Sequence, residues 1–141
     1  MSMEHRQQEK LQILVIENDK DISDSIKALL ESENYQVSTF SDGKLALDRL
    51  KKNPESCLVL LDLIMPVMSG WSFMEEFLKL PVTIVPVPVY IFSVIDEKEG
   101  EAEKMGAKGY IKKPVNLEYL LGIVEDHCRC FKGPTLKEAG P

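Results

Sequence analysis

Long apolar runs are missing from this 141-residue sequence: the longest, residues 80–89, is too short to cross a bilayer and is broken by Pro81, Pro86 and Pro88. The first ten residues are charged and polar, which does not fit a secretory signal. Cysteine is scarce. Cys57, Cys128 and Cys130 make an odd number without framework spacing, a pattern that predicts a reducing, cytoplasmic setting. Positive charge is also short, with 17 Lys and Arg against 23 Asp and Glu and a net charge of -6. Nucleic-acid backbones need clustered Lys and Arg, so the balance argues against nucleic acid as a direct partner. No glycine-rich phosphate loop follows the first apolar run, where residues 18–21 are acidic instead, which argues against a small-ligand enzyme of the nucleotide-binding kind. Internal repeats and low-complexity segments are absent from the sequence too.

What remains is the composition of a soluble globular domain, 44% hydrophobic and 28% charged, long enough to bury a core of its own. The pattern divides into a polar extension at residues 1–10, one domain over 11–130, and a tail or linker remnant at 131–141. Five short apolar runs, at residues 11–16, 35–40, 57–61, 89–92 and 109–111, read as strands. The second alternates, as an edge strand wet on one face does, whereas the third is continuously apolar, as a strand covered on both faces is. Helical periodicities separate them: Ile22, Ile26, Leu29 and Leu30; Leu45, Ala46 and Leu50; Trp71, Met74, Phe77 and Leu78; residues 97–105; and Leu117, Leu120, Leu121 and Val124 with Asn116 as N-cap. Strand and helix in alternation predict an α/β domain with a parallel sheet and helices on both faces. The prolines in residues 81–88 cannot serve a central strand, so the fourth strand is expected to begin just after Pro88.

In such a sheet, ligands bind at the carboxyl ends of the strands. The residues falling there are Glu17, Asn18 and Asp19 after the first strand, Asp62 after the third, Ser93 after the fourth, and Lys112, Lys113 and Pro114 after the fifth. Carboxylates, a hydroxyl and an ammonium brought together suit phosphoryl transfer to a carboxylate. The carboxylate is the nucleophile, and catalysis is otherwise positioning and neutralisation of an anionic group. The run His127-Cys128-Arg129-Cys130 invites a metal reading, but side chains one and two apart on a helix diverge. Cys128 is therefore expected to face the core.

Four stretches resemble the receiver domain of response regulators: residues 13–22, the loop 60–70 (LLDLIMPVMSG), residues 90–93 (YIFS) and residues 106–114 (GAKGYIKKP). The resemblance covers roughly residues 10–128 and implies a flavodoxin-like, doubly wound five-stranded sheet of strand order 2-1-3-4-5. It implies that Asp62 is the phospho-acceptor, and that Lys113, preceding a cis Pro114, and Ser93 act beside it. Tyr110 would be the aromatic that changes rotamer with Ser93, and Gly70 would permit the turn after the acceptor loop. Mg²⁺ would be held by Glu17, Asn18, Asp62 and the backbone carbonyl of Ile64. The implied partners are a sensor histidine kinase or histidine phosphotransfer protein and a downstream protein target. The chemistry is self-phosphorylation from a phosphodonor and slow autodephosphorylation, rather than an enzyme's turnover.

Two positions depart from the pattern. Asn18 stands where the family usually places a second acid, so metal affinity should be lower, with Asp19 as a less favoured substitute. Val94 follows Ser93 where a small residue is common, and should narrow the approach to Asp62. Ile64 and Ile95, two residues beyond Asp62 and Ser93, offer no group to orient an attacking water, which predicts slow loss of phosphate. The rival reading is a degenerate receiver acting as a phosphorylation-independent adaptor.

Overall fold

The computed structural model describes residues 12–53, 56–81, 87–98 and 100–128. Among the described residues five strands and five helices alternate: β1 (Gln12–Ile16), α1 (Lys20–Ser32), β2 (Val37–Phe40), α2 (Gly43–Lys52), β3 (Ser56–Asp62), α3 (Gly70–Phe77), β4 (Val89–Ser93), α4 (Glu101–Lys104), β5 (Gly109–Lys112) and α5 (Leu117–Cys128). All pairings are parallel and the sheet order is β2-β1-β3-β4-β5, as expected. Between β1 and β3 the register slips once, at Gln12/Ile13.

Alternation along the strands divides the core in two. Leu14, Ile16, Val59, Leu61 and Ile91 face α2 and α3, while Ile13, Val15, Leu58, Leu60 and Phe92 face α1 and α5. With both faces buried, β1 and β3 can be apolar without a break. Four of these helices begin where a short polar side chain meets free N–H groups, while α4 starts at Gly100 with no side-chain cap. Asp19 accepts from the amides of Asp21 and Ile22, Asp42 from Leu45, and Ser69 from Ser72. Asn116 caps α5 as predicted, accepting from the Tyr119 amide at 2.9 Å.

Several helices differ from the expectation: in α5 the buried residues are Leu120, Ile123, Val124 and Cys128, with Leu117 exposed. In α3 the buried stripe is Gly70, Phe73, Met74 and Phe77, so Trp71 and Leu78 are left on the open side. In α2 it is Gly43, Ala46, Leu47 and Leu50, with Leu45 exposed. These two stripes follow the i, i+3, i+4, i+7 spacing; Trp71 lies roughly a quarter turn from its stripe, and Leu45 lies nearly opposite its own. The fourth helix shrinks from the expected residues 97–105 to a single turn, because only Ala102 offers it a buried apolar anchor.

The fourth strand begins directly after Pro88, whose carbonyl accepts from the Val59 amide at 2.9 Å. Residues 82–86 of the proline-rich connection lie outside the described residues, as do 1–11 and 129–141. Among the described residues no helix is long and apolar enough to cross a membrane.

Candidate functional site at the carboxyl end of the sheet

Asp62 is the last residue of β3, Ser93 the last of β4, Glu17 follows β1 and Lys113 follows β5. The parallel sheet therefore delivers all four to one end; Glu17, Asp62 and Ser93 are buried, at 3%, 5% and 0% exposed, and the Lys113 side chain is 10% exposed. Lys113 threads inward with its Nζ 4.8 Å from the centre of the Phe92 ring, a cation–π contact that helps an ammonium tolerate burial. That Nζ lies 2.5 Å from Glu17 Oε1 and 3.4 Å from Asp62 Oδ2. Two buried carboxylates thus share one ammonium.

The electrostatics follow from that shortfall. Burial, then the charge of Glu17, push the Asp62 carboxyl up to about 6, against the pull of Lys113 and of the Ile64 amide. The Ile64 amide donates to Asp62 Oδ1 at 3.3 Å, which orients the carboxylate and leaves Oδ2 toward Lys113.

Ser93 and Tyr110 meet through one residue. The Ile95 amide donates to Ser93 Oγ at 3.2 Å, and the Tyr110 hydroxyl donates to the Ile95 carbonyl. Burial raises the Tyr110 phenol above its ordinary value, partly countered by Ser93. The neighbouring Lys112 points away and pairs with Asp96 at 2.5 Å on the open surface. The Lys113–Pro114 bond is cis.

Gly70 is required for a different reason from the one expected. Its φ is not positive, but a Cβ there would lie 2.7 Å from the Asp62 carbonyl and 2.7 Å from Leu63 Cα. Its amide donates to the Leu63 carbonyl at 2.8 Å, so α3 starts pressed against the end of β3. The residue in the left-handed region is instead Val67, at φ 67, spanned by a 2.6 Å bond from the Met68 amide to the Pro66 carbonyl. A β-branched residue in such a three-residue turn is strained, and nothing in the sequence pattern signals it.

Asp19 is committed elsewhere, since its carboxylate caps α1 and its amide donates to Glu17 Oε2 at 2.9 Å. That leaves Asn18, exposed beside Glu17, as the third side chain of the candidate metal set. Among the described residues no group of three His, Cys, Asp or Glu side chains is placed to hold a metal. The oxygens of Glu17, Asp62, Asn18 and the Ile64 carbonyl still suit a hard cation that keeps several waters. The fit rests on the carboxylate pair: a cation between them would cancel the repulsion that raises Asp62. Val94, 65% exposed, joins Lys113 and Pro114 in lining a groove of about 510 Å³ between the start of α1 and the β5–α5 connection.

Sequence reasoning had no purchase on Cys57 and Cys128. Read as thiols without framework spacing, they form a disulfide with a Cα–Cα distance of 5.4 Å, 71 residues apart in sequence. Cys128 does face the core, as expected, and its partner on β3 explains why.

A family model described as the response regulator receiver domain matches residues 13–125. Among curated proteins, the chain is 28% identical to the transcriptional regulatory protein RprY of Bacteroides fragilis over 93% of its own length and 55% of the relative's. It is 31% identical to the cell cycle response regulator CtrA of Brucella ovis, over 87% of this chain and 52% of that one. The chain spans about half the length of these relatives. Among solved structures, the Vibrio cholerae chemotaxis protein CheY4 superimposes with a TM-score of 0.74 at 25% identity, covering 83% of this chain and 98% of that one. The receiver domain of the Francisella response regulator 1452 does so with a TM-score of 0.73 at 29% identity, covering 86% and 99%.

Proposed function

The chain belongs to the response regulator receiver domain family of two-component systems, and on that premise we propose that Asp62 accepts a phosphoryl group from a phosphohistidine. The donor is a sensor histidine kinase or a histidine phosphotransfer protein. The observation that carries this reading is the buried ion-pair cluster in which Lys113 Nζ stands 3.4 Å from Asp62 Oδ2.

In the transfer, an ionised Asp62 oxygen forms a bond to phosphorus while the bond from phosphorus to the donor's imidazole nitrogen breaks. The electron pair leaves on that nitrogen, and with the ring's other nitrogen protonated the leaving group is a neutral imidazole. Mg²⁺, held by Glu17, Asn18, Asp62 and the Ile64 carbonyl, would neutralise the incoming phosphoryl oxygens. Lys113 supplies a second positive charge and can leave Glu17 for the new anion. Ser93 accepts a hydrogen bond from the Ile95 amide and can turn its own proton to a phosphoryl oxygen.

A Ser93 that turns toward Asp62 gives up the Ile95 amide, and Ile95 also holds the Tyr110 hydroxyl. Arrival of the phosphoryl group is thereby coupled to the position of Tyr110 on β5, and so to the surface of α4, β5 and α5 that a downstream protein would read. Apolar Ile64 and Ile95 offer no group to orient water, which supports a long-lived phosphorylated form.

Incubation with Mg²⁺ and a small acyl phosphate, read by intact mass, tests the proposal. A single phosphoryl adduct is expected, absent in Asp62→Ala. An unmodified protein at high donor and metal concentration would instead support the phosphorylation-independent adaptor, the reading that Asn18 favours.

A further inference from the structure

Two contacts fasten the last turn of α5 to the sheet. Cys128 is bonded to Cys57 near the start of β3, and the preceding residue His127 meets the Tyr90 hydroxyl of β4 at 3.0 Å. The His127 ring also packs edge-on against Tyr90, with centroids 5.3 Å apart. Both sulfurs are enclosed, Cys57 being 6% and Cys128 0% exposed. Their Cα–Cα distance of 5.4 Å falls within the range a disulfide spans.

Position along β3 separates this clasp from the chemistry. Cys57 is the second residue of the strand and Asp62 the last. Five residues of extended chain put about 17 Å between the clasp and the acceptor. A change at Cys57 and Cys128 therefore bears on how α5 is held, and leaves the carboxylate cluster as it is.

We propose that Cys57 and Cys128 are a reversible thiol–disulfide pair that locks the end of α5 to β3 under oxidising conditions and releases it under reducing ones. The oxidant is a small disulfide of the glutathione class. Fraying of the last helical turn exposes Cys128, whose thiolate attacks one sulfur of the oxidant. The oxidant's S–S bond breaks, one glutathione thiolate leaves, and a mixed disulfide forms on Cys128. The Cys57 thiolate then attacks the Cys128 sulfur and expels the second glutathione. The pair loses two protons and two electrons, which finish on two glutathione thiols. The released state keeps the Tyr90–His127 contact but loses the covalent link, so the redox state sets how firmly the last turn of α5 is held.

The full chain equilibrated across a series of glutathione redox buffers, acid-quenched, alkylated and mapped by peptide mass tests this directly. The expected oxidised form carries a Cys57–Cys128 cross-linked peptide and a single alkylated cysteine, Cys130, and returns to three alkylated cysteines with reductant. Amide exchange in residues 124–128 should be at least ~10-fold slower when oxidised, and the melting midpoint higher by about 10 °C. Cys130→Ser, which leaves the pair untouched, should behave identically and guards against loss of fold in Cys57→Ser or Cys128→Ser. Three alkylated cysteines at every buffer ratio, a bond that uses Cys130, or equal exchange in both states would each overturn the proposal. Phosphorylation of Asp62 is not needed for any of these readouts.

Discussion

Lys113 Nζ and Asp62 Oδ2 lie 3.4 Å apart at the carboxyl end of the sheet, yet the carboxyl still titrates at about 6 rather than 3.8. The ion pair is outweighed by burial and by Glu17, which holds Lys113 more closely, at 2.5 Å. The nucleophile of the proposed reaction is therefore only partly ionised in mildly acidic solution.

The rate of phosphorylation by a small acyl phosphate should follow that ionisation. Without Mg²⁺ neutralisation saturating the site, the rate should fall by about half near pH 6 and by roughly tenfold one unit lower. An ordinary Asp would stay ionised to about pH 4. Initial rates of adduct formation between pH 5 and 8 make the comparison.

Asp62→Asn should stabilise the fold. The sign follows from linkage: a carboxyl raised in the folded state binds its proton more tightly folded than unfolded, so its ionisation weakens the fold above about pH 6. That penalty is relieved as pH falls from about 6 toward 3.8. The variant should gain on the order of 1–2 kcal/mol at pH 7, shrinking to nothing by about pH 4. Urea unfolding at the two pH values reads it.

Asn18→Asp should strengthen Mg²⁺ binding, because a third carboxylate replaces a neutral amide beside Glu17. An increase on the order of tenfold is expected from ligand charge, measured by calorimetric titration. Asp19→Asn should change the metal affinity far less, since that side chain is spent on the α1 cap.

Phosphate on Asp62 should persist for minutes to hours at neutral pH, and Ile64→Glu or Ile95→Glu should shorten its lifetime severalfold by giving an attacking water a polar partner. Loss from the unsubstituted protein within seconds contradicts the idea. Timed intact-mass spectra after removal of donor and Mg²⁺ give both numbers.

The strands were legible because β1 and β3 are buried on both faces and so carry unbroken apolar runs, residues 13–16 and 57–61, and because Pro88 marks where β4 can begin. Four residues from four strand ends could be brought together on paper for the same reason: a parallel sheet sends every carboxyl end to one side. The helical faces were less legible. Trp71 and Leu45 are large and apolar but stand off the buried stripe, and apolarity alone does not say which face meets the sheet. The role of Asp19, the strained Val67 and the Cys57–Cys128 bond depend on local backbone geometry or on contacts across 71 residues of sequence, which a linear pattern does not carry.

The most direct measurement of the central claim is the intact mass of the protein after incubation with Mg²⁺ and acyl phosphate, compared among unsubstituted protein, Asp62→Ala and Lys113→Met. One phosphoryl group on the unsubstituted protein is predicted, with none on Asp62→Ala and a rate lowered by about 100-fold or more in Lys113→Met. An adduct that survives Asp62→Ala, or no adduct on the unsubstituted protein at any donor concentration, would contradict it.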